Sequence, residues 1–71
     1  MKGDQYIWRT KSKEIISCDE KLKILNENLI EIETLCQSAM DDAILMGCDE
    51  EDFKYKVIEV IKNSKFSFSK K

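Results

Sequence analysis

Seventy-one residues with a net charge of −2 make one small domain at most, and a core of that size rarely supplies more than about 3–5 kcal/mol without a disulfide, a metal or a partner chain. The chain has no histidine, no proline and only two glycines, which removes the commonest general base and metal ligand and fits a mainly helical protein. Its charge is divided: residues 1–17 balance to +2, residues 18–52 to −9 and residues 53–71 to +5.

Basic ends that fold back over an acidic body are the plain reading of that division, and a basic tail for nucleic acid or anionic lipid is the sharper one. No apolar run approaches about 18 residues, so no membrane span is expected. The N-terminus lacks the apolar core of a signal peptide, which points to a cytoplasmic protein. Three cysteines, Cys18, Cys36 and Cys48, show no C-x-x-C spacing. Without histidine they fall short of a zinc ligand set, and no metal or cofactor is expected.

In chain order, residues 1–16 have no clean period. Tyr6, Ile7 and Trp8 form an apolar cluster, followed by the polar run Arg9–Lys13 and then Ile15 and Ile16. This reads as an extended segment docked on helices or as a recognition patch. A lone tryptophan usually packs, because it brings a large apolar area.

Residues 17–64 read as an antiparallel helical hairpin. Ser17 to Glu20 has the S-x-x-E form of a capping box, with acidic residues where a helix N-terminus favours them. From Leu22 onward, apolar residues recur at alternating steps of three and four: Leu22, Leu25, Leu29, Ile32, Cys36, Ala39, Ala43 and Met46. That spacing predicts a helix over 18–46, stopped by Gly47 in the left-handed conformation. Its length would be about 43 Å at 1.5 Å per residue.

Asp49 is the expected N-cap of a second helix over 50–63, with Glu50, Glu51 and Asp52 in its first turn. Glu50–Lys54 and Asp52–Lys56 stand at i,i+4 with acid before base, which adds support. Phe53, Val57, Val60 and Ile61 share a face. The alternation of residues 53–57 and the β-branched run that follows leave a strand as the alternative. Residues 65–71 form a basic tail, in which residues 65–69 alternate as in a short strand or as two phenylalanines facing a groove.

A short second helix of about 21 Å can shelter only the small end of the first seam, Cys36, Ala39 and Ala43. Leu22, Leu25, Leu29 and Ile32 would then forgo roughly 1.5–3 kcal/mol each if left wet. Ile24, Ile30, Leu35, Met40, Ile44 and Leu45 lie off that seam and add to the surplus. A homodimer in a four-helix arrangement, or docking on a larger protein, is therefore expected through Leu22, Leu25, Leu29, Ile32 and Cys36.

No catalytic constellation is visible, so the chain reads as a regulatory or accessory interaction protein and not an enzyme. The carboxylates Asp41, Asp42 and Asp49–Asp52 serve capping and solvation better than cation binding, since EF-hand spacing is missing. Cys48 near a helix N-terminus has acidic neighbours that oppose a reactive thiolate. The alternative function is nucleic-acid binding by Lys62, Lys65, Phe66, Phe68, Lys70 and Lys71, a backbone-and-stacking composition without a motif.

Overall fold

The computed structural model describes residues 6–68, and these form an all-α chain of two helices, α1 (Asp19–Leu45) and α2 (Glu50–Lys62). Among the described residues β structure is confined to an isolated antiparallel bridge between Arg9 and Ile15. The chain divides into two compact units, Met1–Ser38 and Ala39–Lys71.

In the first unit, the stretch expected to be extended turns back on itself. The Thr10 N–H donates to the Glu14 carbonyl (2.8 Å), the Lys13 N–H to the Thr10 carbonyl (2.9 Å) and the Ile16 N–H to the Trp8 carbonyl (2.8 Å). This is a three-residue hairpin loop, a type I turn closed by a left-handed residue. Lys13 takes that place, at φ 73°. Side chains brace it: Thr10 Oγ1 accepts from the Ser12 and Glu14 N–H groups at 3.2 Å each. The Arg9 guanidinium donates to the Lys13 carbonyl at 2.9 Å.

Helix α1 begins one residue later than a Ser17 cap would place it. The Leu22 N–H donates to the Cys18 carbonyl at 2.9 Å, so Cys18 stands at the cap position and the S-x-x-E box is out of register by one. Asp19 and Glu20 still fill the first turn, where the helix dipole favours them.

The other end of α1 closes as the glycine predicts. Gly47 sits at φ 88°. Its N–H donates to the Ile44 carbonyl at 3.0 Å, and the Cys48 N–H reaches the Ala43 carbonyl at 2.9 Å. This pair of bonds is the Schellman motif, which satisfies carbonyls that a helix end would otherwise leave open.

In the second unit the last turns of α1 lead through this turn into α2. Asp49 caps α2 in extended conformation (φ −69°, ψ 133°), its carboxylate accepting from the Asp52 N–H at 2.9 Å. Both expected ion pairs form: Lys54 with Glu50 at 3.2 Å and Lys56 with Asp52 at 2.8 Å. Lys54 also approaches Glu51 at 3.8 Å. These local interactions decide for helix over strand at residues 53–61. At the far end the Asn63 N–H donates to the Glu59 carbonyl, and the Ser64 hydroxyl to the Val60 carbonyl at 2.9 Å.

The core is minimal. Ala43, at 8% exposure, is the one buried apolar residue among those described. Ala39 and Met40 on α1 and Phe53 and Val57 on α2 are half-buried. Val60 and Ile61 depart from expectation: both share the Phe53 face by period, yet both are exposed. Helical period fixes a side chain's azimuth, not whether a neighbour stands at that height.

Candidate interaction surface

The front segment is tied to α1 by a side-chain hydrogen bond close to the leucine face. Trp8 Nε1 donates to Asn26 Oδ1 at 2.7 Å, a partly buried bond across eighteen residues. Asn26 stands on the same turns as Leu22, Leu25 and Leu29, and these three are half-buried, as are Trp8 and Ile16. Tyr6 adds to the cluster, its ring 6.5 Å from that of Trp8 and tilted by 55°. Of the residues expected at an interface, Leu22, Leu25, Leu29 and Cys36 are thus half-withdrawn, and Ile32 is exposed.

The accessible apolar surface of α1 lies to one side of that seam. At 100° per residue, Ile24, Asn28, Ile32 and Leu35 fall on one strip. Their apolar members are 60%, 51% and 70% exposed for Ile24, Ile32 and Leu35 respectively. Lys21, one turn before Ile24, extends the strip and is also exposed. Reading the leucine seam alone misses this strip; Ile24 and Leu35, placed off it by period, are the signal for it.

The second unit has its own open apolar residues: Ile44, Leu45 and Met46 before the turn, and Tyr55, Ile58, Val60 and Ile61 on α2. Charge on α2 is arranged locally. The Glu50 side chain, by hydrogen bond and then by charge, holds Lys54 above its ordinary pKa of 10.5, with a smaller contribution from Glu51. Asp52 does the same for Lys56.

Of the residues expected to meet nucleic acid, Lys62 closes α2, and Lys65, Phe66 and Phe68 follow it, all exposed. Phe66 and Phe68 form no strand. They meet edge to face at 5.8 Å, with a 69° angle between their planes. Lys70 and Lys71 lie outside the described residues.

Among the described residues, no three histidine, cysteine, aspartate or glutamate side chains gather in a way that could hold a metal ion. Nor is any helix there long and apolar enough to cross a membrane. No protein-family model, curated protein or solved structure matches this chain.

Proposed function

We propose that this chain is a small non-catalytic protein–protein interaction module, an adaptor, regulator or accessory subunit acting through the apolar surface of α1. One observation carries the reading. Ala43 is the one buried apolar residue described, while Ile24, Ile32 and Leu35 stand at least half exposed on one strip of a single helix. Scattered exposed apolar residues are normal on any protein. Several large apolar side chains left open on one face of a helix, here Ile24, Ile32 and Leu35 with Asn28 among them, mark a place where another surface belongs.

The test compares the chain with an Ile32→Asp/Leu35→Asp variant as baits in extracts of its native cell. Both positions are exposed, so the variant should keep the circular dichroism and melting of the parent. The parent should retain a partner that the variant loses. Identical captures from two equally folded baits would refute the reading.

The alternative is a nucleic-acid accessory role for the basic end of the chain. Its support is the exposed Phe66–Phe68 pair following Lys62 and Lys65, because aromatic faces beside lysines suit stacking on single strands. It requires binding that weakens steeply with salt and vanishes when residues 62–71 are removed. Absence of a mobility shift at low salt would end it.

A further inference from the structure

From Val60 to Lys71 the chain carries the lysines Lys62, Lys65, Lys70 and Lys71 and no acidic residue. The carboxylates that hold Lys54 and Lys56 lie further back, at Glu50 and Asp52, so this end keeps its positive charge. Large apolar side chains stand among the lysines. Val60 and Ile61 are exposed on the last turn of α2, and Phe66 and Phe68 beyond it are 69% and 81% exposed. Water is a poor environment for such side chains, and the charge around them decides what can replace it.

A surface that is anionic outside and apolar beneath satisfies both groups, and a bilayer of acidic lipids has that build. We propose that residues 60–71 dock on an anionic lipid bilayer, with Phe66 and Phe68 entering the headgroup boundary and Lys62 and Lys65 meeting the lipid anions. This goes beyond the interaction reading of α1 and uses a different end of the chain.

The composition of this end favours lipid over nucleic acid. Phe66 and Phe68 meet edge to face at 5.8 Å. The edge of one ring then lies against the face of the other, which leaves less face for a base to stack on and makes a compact apolar wedge. Val60 and Ile61 are aliphatic and gain from hydrocarbon rather than from a base plane. Every basic residue after Arg9 is a lysine. Lysine lays its stem along apolar surface and lifts its ammonium to the water, whereas the planar fork of arginine serves nucleic acid better.

The remainder of the chain restricts the contact to this end, because residues 18–52 balance to −9 and are repelled by the same surface. A small apolar wedge or a few lysines alone gives marginal attachment, and the two together multiply. Each lysine close to an anionic bilayer strengthens binding about fivefold.

Co-sedimentation of the full chain with phosphatidylcholine vesicles, plain or with about one-third phosphatidylserine, tests this. The chain should sediment with the anionic vesicles at low salt, stay behind with the plain ones, and be released as salt rises. Lys62→Gln/Lys65→Gln should weaken binding about 25-fold, and Phe66→Ser/Phe68→Ser about tenfold or more. All these positions are exposed, so circular dichroism should match the parent. Ile32→Asp/Leu35→Asp should bind vesicles like the parent, which separates failure here from failure of the α1 surface. Absence of binding to anionic vesicles at low salt would overturn the proposal. So would a phenylalanine variant that binds as well as the parent, since the wedge would then be idle. A single-stranded oligonucleotide bound more tightly than the vesicles at equal salt would assign this end to nucleic acid instead.

Discussion

The bond between Trp8 and Asn26 is the longest-range hydrogen bond described in the chain, and Asn26→Ala tests what it does. The substitution removes the acceptor 2.7 Å from the indole N–H and leaves the helix backbone unaltered. A neutral hydrogen bond contributes about 0.5–1.5 kcal/mol net, and an indole N–H left partly dry adds a desolvation cost. The hairpin turn should therefore open about 2- to 12-fold more often. Trp8 is the one tryptophan of the chain, so its fluorescence reports this event without a label. The emission should shift to the red, and amide exchange should speed up at Thr10, Lys13 and Ile16, whose N–H groups close the turn. Glu27→Ala is the control: it breaks an exposed ion pair with Lys23 at 3.3 Å, a loss of a few tenths of a kcal/mol at most. If Asn26→Ala leaves emission and exchange like those of the control, the turn is not held by this bond and the argument fails.

Gly47→Ala should destabilise the second unit by about 1–2 kcal/mol. A Cβ there meets nothing within 4 Å, so the cost is that of φ 88° alone, and Gly47→Asn should cost less on thermal unfolding. Asp49→Ala should remove about 1 kcal/mol by stripping the cap from the Asp52 N–H; circular dichroism on melting would show it, and Asp49→Ser should restore most of the loss. Alkaline titration is the fourth test. Lys54 and Lys56 have folded pKa values raised above 10.5 by Glu50 and Asp52. Their stabilisation is complete below 10.5 and lost as pH climbs through the raised values, so helicity should fall there, and less in a Lys54→Gln/Lys56→Gln variant.

Features set by neighbouring residues were readable before any coordinates. Gly47 announces its left-handed turn, Asp49 its cap, and the acid-before-base pairs of α2 their register, because each acts within a few residues. The hairpin at Trp8–Ile16 was hidden. Its left-handed position belongs to Lys13, a residue that gives no turn signal, and its bracing depends on Thr10 and Arg9 reaching across the loop. The apparent capping box shows the opposite failure. Ser17 and Glu20 have the right identities, but the Cys18 carbonyl accepts the first helical bond.

The leucine seam was legible as a helical face, and its half-burial was not. Period reveals that Leu22, Leu25 and Leu29 line up; it does not reveal that Trp8 anchors beside them through Asn26. In the same way Val60 and Ile61 share an azimuth with Phe53 but remain exposed. The strip from Lys21 to Leu35 becomes evident only once Leu22, Leu25 and Leu29, on the neighbouring face of α1, are seen to be half-buried.

The wiring of the described residues has a kinetic consequence. Their bonds join segments close together in the chain, the three cysteines are free, and no proline is present to isomerise slowly. Such local topology closes in microseconds to milliseconds. A polypeptide of this kind reaches its shape quickly and relinquishes it easily. Its persistence against proteases would then follow the fraction of time spent open, and a bound companion would prolong it by mass action.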